Sequence, residues 1–361
     1  MRRNMKTGNL FRPLVFMLTI AILMPTACCE HEMLVEKDAI FMSAQQTTRA
    51  IINDKNDLGG ESVSNGTGFG VYGYKTANYS VPGEEIDIQV FTNTKVTASG
   101  TDDNYSWSYT PLKYWDRATY YRFVAYWPHI TATAGSGAYV SHDANHIIKL
   151  NNLPCWQEVD GTENDWLIST SQKYASQYID QDNGYVEFSF QHLLARIEIR
   201  AWYFGNEAKI PEITELSLGN STYKVPDGTT VTSVSRDYTT SSGSNSWSPI
   251  TYANNITLAE TVQINAFSDY ADVAPDPTDL VCEWLVVPFS ATNCPLNVEY
   301  KIDGVSFAPV AIATSLGAIE SGKKYTLTLK FNTITNSLEL KELSVKDWVE
   351  SGNSNKDVYN W

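Results

Sequence analysis

Residues 186–202 read V-E-F-S-F-Q-H-L-L-A-R-I-E-I-R-A-W. Val186, Phe188, Phe190, His192 and Leu194 alternate with Glu187, Ser189 and Gln191. Side chains on a strand point to opposite faces at period two, so this pattern predicts a half-buried β-strand. The apolar phase then flips to Ile197, Ile199 and Ala201. One extra residue near Leu193–Ala195 accounts for the slip, as a bulge or as a crossing between sheets. Most other apolar runs are also short and alternating, and no helix-period run exceeds about three turns. The expected class is all-β.

The remaining strand expectations follow the same rule. In the first half they are Ala39–Ser43, Phe69–Tyr74, Ile86–Phe91, Tyr105–Tyr109, Leu112–Trp115, Tyr120–Trp127, His146–Leu150 and Trp166–Thr170. Asp182-Asn183-Gly184 is a turn signal and is taken as the domain boundary. The second half adds Ile213–Leu218, Val281–Phe289, Leu296–Ile302, Tyr325–Phe331 and a last run from Leu338 to Trp348. With 361 residues the chain is long enough for two domains, expected at 50–184 and 185–361. Its 21 Tyr, 13 Phe and 10 Trp suffice to fill two sandwich cores.

Before residue 50 the chain reads as targeting and tether. Arg2, Arg3, Lys6 and Arg12 precede a largely apolar run, Leu14–Met24. That run is shorter than the about 20 residues a bilayer span needs, and it fits a secretory signal. It ends P-T-A-C-C, where a small residue before Cys28 matches the lipoprotein-processing pattern. Pro25 stands where a Leu is usual, and an ordinary secretory signal with a spare cysteine is the competing reading; Cys29 is the alternative acceptor. Removing the signal at 1–27 takes four positive charges from a formal −15, leaving −19. Such an acidic chain is a poor partner for nucleic acid or anionic lipid. Residues 28–49 then hold a tether and a first strand, followed by Arg49 in an irregular stretch of the kind proteases cut.

The search for chemistry returns little. Gly66, Gly68 and Gly70 imitate a phosphate loop, but they run into a strand with no Lys-Ser/Thr after them. His142 and His146 have i, i+4 spacing without the Glu of a zinc-protease helix. Asp180, Asp182 and Gly184 resemble a calcium-loop fragment that lacks its terminal Glu, and a turn is the preferred reading. His192 is on the apolar phase, as expected of a hydrogen-bonded core histidine. No nucleophile elbow is present. Cys282 and Cys294 flank an apolar run and are candidates for a bridge that sequence alone does not set. No cofactor and no metal are expected, and the chain is read as non-enzymatic. Abundant carboxylates leave an all-β hydrolase as a formal third reading.

Taken in order, several pieces resemble the fimbrillin-like (Mfa-like) family, the type V pilin subunits. They are the cysteine signal, I-F-M-S…T-T-R-A at 40–50, F-G-V-Y-G-Y at 69–74, W-S-Y-T-P-L-K-Y-W at 107–115 and Y-R-F-V-A-Y-W-P at 121–128. D-W-L-I at 165–168, the central stretch, L-V-V-P-F at 285–289, G-K-K-Y-T-L-T-L at 322–329 and V-K-D-W at 345–348 continue the match. The resemblance implies two tandem transthyretin-like antiparallel β-sandwich domains. It implies a surface-exposed outer-membrane lipoprotein acylated at Cys28, cleaved after Arg49 and released into a fimbrium. It further implies strand donation between subunits, which would serve cell adhesion. Ile40 and Met42 alternate as groove fillers, and Leu338, Leu340, Leu343, Val345 and Trp348 are candidate donor residues within 338–348; an ordinary final strand is weighed equally. The expected partners are other fimbrial subunits, the membrane through the lipid, and a host or bacterial surface ligand. The alternative is a glycan-binding surface lipoprotein that does not polymerise, using Trp115, Trp127 or Trp156 to stack on sugar rings.

Overall fold

The computed structural model describes residues 39–46, 68–77, 86–99, 106–131, 137–143, 147–159, 165–237, 245–258 and 260–348. Cys28, Cys29, Arg49, Gly66, His146 and the signal at 1–27 lie outside the described residues.

Eleven strands and one helix carry the argument. They are β1 (Phe41–Gln46), β2 (Phe69–Ala77), β3 (Ile86–Ser99), β4 (Ser106–Ser108), β5 (Tyr120–Trp127) and β6 (Leu167–Tyr174). Then come α1 (Ala175–Gln181), β7 (Tyr185–His192), β8 (Ala195–Phe204), β9 (Asp279–Val286), β10 (Lys323–Asn332) and β11 (Ser337–Asp347). The first sheet has the order β1-β7-β6-β5-β2-β3-β4. All its pairings are antiparallel except β1 against β7, which is parallel. The second sheet runs β11-β10-β8-β9 and ends on Trp156–Glu158. It packs across from a third sheet built on Pro211–Leu218 and Pro295–Ile302. Ile197, Ile199, Leu327 and Leu329 face Ile213, Leu216, Leu296 and Val298 in that sandwich core. Inward positions at period two from both sheets make a sandwich rather than a helical core.

The phase slip near Leu193 is a crossing between sheets. β7 belongs to the first sheet and β8 to the second, with Leu193 and Leu194 fully buried between them. The change of sheet therefore falls one strand later than the turn at Asp182–Gly184. That turn closes α1 instead: the Tyr178 carbonyl accepts from the N–H of both Asp182 and Gly184. Asn183 and Gly184 take positive φ there, as at a helix C-terminus.

The halves also share strands. Ile147–Pro154 pairs with Val231–Asp237, and Trp156–Glu158 pairs with β9. A continuous apolar cluster fills the space between them. It contains Tyr126 and Ile168 of the first sheet, Leu193 and Leu194, and Leu285, Val287 and Trp348. β5 is buried on both faces, Phe123 and Ala125 to one cluster and Val124 and Tyr126 to the other.

Two sequence expectations are corrected here. Leu112–Trp115 is not a strand; it contributes one bridge, Tyr114 to Ala39. Pro111, immediately before it, cannot donate to a ladder. Cys282 and Cys294 are free, buried thiols, as is Cys155. Cys282 pairs with Ile199 in the second sheet, whereas Cys294 points its sulfur at the Tyr223 carbonyl, 3.7 Å away beside the third. Burial pushes all three thiols above their ordinary range.

Candidate functional site: the seam around the first strand

β1 begins between two neighbours. The Ile40 N–H donates to the Lys113 carbonyl at 2.9 Å, and the Phe41 N–H donates to the Gly184 carbonyl at 3.0 Å. From Phe41 onward it runs parallel to β7, in register from Phe41 opposite Tyr185 to Gln46 opposite Phe190. Ala39 bridges Tyr114, in the segment that follows β4 at the far end of the sheet. β1 is thus the edge strand of the first sheet, and its start is tied to the segment that follows β4.

Period two decides what β1 buries. Ile40 and Met42 are 0% and 1% exposed, and Ala44 packs against the same cluster. Their company includes Phe69, Phe91, Phe123, Phe188 and Phe190. Ile40 and Met42 each contribute about 1.5–3 kcal/mol of burial before ordering entropy is subtracted. Phe41 faces outward and stacks on Tyr185, with centroids 5.3 Å apart.

Tyr109 clips the start of the strand. Its hydroxyl donates to the Ile40 carbonyl at 2.7 Å and accepts from the Lys113 N–H at 3.2 Å. Burial raises this phenol to about 12, against the lowering effect of the Lys113 N–H, so it remains a donor across the physiological range. Trp115 completes the end of the groove: its indole N–H donates to the Gly184 carbonyl at 3.3 Å and its ring stacks on Tyr178. The motif W-S-Y-T-P-L-K-Y-W thus supplies a clip and a wall, a role that its alternating aromatics did not disclose.

The last described strand is held in place by its own sheet. β11 is the outer strand of the second sheet, antiparallel to β10. Leu338 and Leu340 are partly buried against the sandwich core, Val345 is 52% exposed and Trp348 is fully buried. Of the donor candidates, Ile40 and Met42 lie in the seam, whereas Leu338, Leu340, Val345 and Trp348 sit elsewhere.

The proposed sugar-stacking surface is not formed by the residues named for it. Trp115, Trp127 and Trp156 are only 6%, 2% and 8% exposed. Trp115 packs edge-on to Tyr121, and Trp156 lies 5.0 Å from Trp284. Alternation marks a strand face but not which face is covered, and here both faces are. Gly68 and Gly70 serve packing. A Cβ on Gly70 would meet the Tyr126 ring at 2.4 Å. His142 approaches Gln89 Nε2 at 3.0 Å. Among the described residues no group of three or more His, Cys, Asp or Glu is placed to hold a metal ion.

Comparison with known proteins follows the same lines. A family model described as fimbrillin-like matches residues 48–348. The chain is similar to the crystal structure of a fimbrial protein from Bacteroides vulgatus at 17% identity and TM-score 0.56, covering 86% of this chain and 100% of that one. A protein named for cell adhesion from Bacteroides uniformis aligns at 15% identity and TM-score 0.44, covering 86% and 98%. A fimbrial assembly protein from Parabacteroides distasonis aligns at 11% identity and TM-score 0.35, covering 85% and 99%. No curated protein matches the chain. The likeness to the first of these structures supports the all-β architecture.

Proposed function

The chain belongs to the fimbrillin-like family, and from that premise we propose that it is a cell-surface fimbrial subunit that assembles by strand donation and serves adhesion. Export as a lipoprotein at Cys28 and cleavage after Arg49 complete the reading, with two tandem transthyretin-like sandwiches as the body. The partners are other fimbrial subunits and, through the lipid, the outer membrane.

One observation carries it. β1 is an edge strip of the first sheet, with Ile40 and Met42 in the core, and it ends three residues before Arg49. The segment shared with the family begins at residue 48, just past that strip. Losing β1 would uncover an unpaired ladder beside β7 and an apolar slot. Both are met by an extended segment from another subunit: main-chain hydrogen bonds satisfy the edge, and alternate side chains fill the slot. A body whose core lacks only this strip has a strong reason to accept a replacement.

N-terminal sequencing of protein sheared from cells tests the reading, together with unboiled gels of wild type and Arg49→Ala. The expected wild-type N-terminus is Ala50, with a ladder of polymers; Arg49→Ala should stay monomeric and begin at Cys28. Ladders of equal strength in Arg49→Ala would overturn it.

A further inference from the structure

β7 is the seat of two separate attachments. Among the described residues, the ladder partner of Tyr185–Ser189 is β1, while β7 meets β6 at Gln191 and His192. His192 is also where the chain's last described residue docks. The Trp348 indole stacks on the His192 ring, centroids 4.1 Å apart and planes 17° apart. The Trp348 N–H donates to the Gly322 carbonyl at 2.8 Å, which ties it to the start of β10. Trp348 is the residue that joins β11 to the core between the halves, whereas Val345 before it is exposed.

We propose that occupancy of the seam by β1 sets how firmly the C-terminal strand β11 is held. Without β1, the first part of β7 loses that ladder, and Gln191 and His192 stay paired with β6. His192 is then one of the two residues by which β7 stays paired, and it also carries the stack on Trp348. Freedom gained by β7 reaches the His192 ring within two or three residues and loosens Trp348, and with it the end of β11. Coupling of this kind is reciprocal: loss of Trp348 must loosen β1. The mechanism is a linkage between the first and the last described strands through β7. It rests on the geometry and stands whether or not β1 is ever clipped.

Hydrogen exchange on the uncleaved chain, with β1 in place, tests it. Met42→Asp weakens the seating of β1, and Met42→Ala does so mildly enough to keep the chain folded. The expected result is faster exchange at Phe41–Ala44 and, by about fivefold or more, at Leu338–Val345, with Asp279–Val286 of β9 unchanged. In the reverse direction Trp348→Ala should speed exchange at Phe41–Ala44, and Trp348→Phe should largely restore it. The proposal is overturned if β1 exchanges faster while β11 does not. A rise of equal factor in β9 and β11 also overturns it, because that reports general loosening. Neither outcome depends on cleavage or polymer formation, so the result is separable from the test of assembly.

Discussion

The His192 ring lies flat on the Trp348 indole, 4.1 Å between centroids, across 156 residues of sequence. On its other side His192 is held by Asp165, whose carboxylate oxygens stand 3.0 and 2.9 Å from Nδ1. All three side chains are buried. A strand of the first sheet, the loop before β6 and the end of the last strand therefore meet at one point. The two halves are joined there by packing as well as by the shared strands.

This point should be sensitive to single changes. Asp165→Ala leaves Nδ1 of His192 buried without its acceptor, at a cost of about 1–3 kcal/mol. Replacing both partners, as Asp165→Leu with His192→Phe, should recover a good part of the loss, because no polar group is then stranded. Urea denaturation of the two single variants and the double variant measures this. Additive losses would show that the pair has no such role.

A second buried polar group predicts a pH dependence. Glu198 on β8 is 2% exposed and lies 2.6 Å from Lys324, 3.2 Å from Arg196 and 3.2 Å from Arg200. Burial alone would raise its carboxyl, but the Lys324 hydrogen bond and charge and the two arginines outweigh it, so the net shift is downward. A carboxyl lowered in the folded state adds stability above its unfolded value, and that stability is lost as pH falls through the folded value. Glu198→Gln should therefore cost about 3 kcal/mol at neutral pH. The gap from wild type should close as pH drops below the ordinary glutamate value of 4.5. Glu283, bonded to the same Arg196, behaves oppositely: burial raises it despite the arginine, so its ionisation opposes folding as pH rises above the ordinary value. Melting curves of Glu198→Gln and Glu283→Gln from pH 3 to 8, on the order of one unit apart, separate the two signs.

Gly68 gives a test of packing against conformation. It has φ +73°, and a Cβ there would meet the Val96 carbonyl oxygen at 2.0 Å. Gly137 has φ +97° with nothing within 4 Å. Gly137→Ala should carry only the left-handed penalty, about 1–2 kcal/mol. Gly68→Ala adds a backbone clash and should lose about 1–3 kcal/mol more. Equal losses would mean that the β2–β3 entry relaxes freely.

Much of the fold was legible because period two is a local signal. Tyr120–Trp127 reads as a strand and is β5, with the same ends. The phase slip at Leu193 marked a real change of sheet. What stayed hidden is non-local. Nothing in I-F-M-S reveals that its ladder partner is 144 residues away and parallel. Nor does a tryptophan on a strand disclose whether a second sheet covers it, which is why Trp115, Trp127 and Trp156 read as surface. The cysteines failed for the same reason: twelve residues apart in sequence, they stand beside different sheets. Trp348 reads as a donor candidate, and its stack on His192 depends on a fold-level meeting that neither segment encodes alone.

The alternation in β1 yields the last prediction. If the strip is a plug whose inner side chains complete the core, inner and outer positions must differ sharply. Met42 is 1% exposed among aromatic rings, and Met42→Ala should cost about 2–5 kcal/mol. Phe41 is the larger side chain, but it lies on the outer face against Tyr185. Phe41→Ala should lose little beyond that stack, about 0.5–1.5 kcal/mol. Ser43→Ala should fall within about 0.5 kcal/mol of wild type. Because an edge strip can detach before the body unfolds, the loss should appear first as protease sensitivity around residues 39–46. It should appear only later in the global transition. Denaturation and limited proteolysis of the three variants, run side by side, check the order. Losses that follow side-chain size rather than facing direction would show that β1 lies on the surface of the sheet without completing its core.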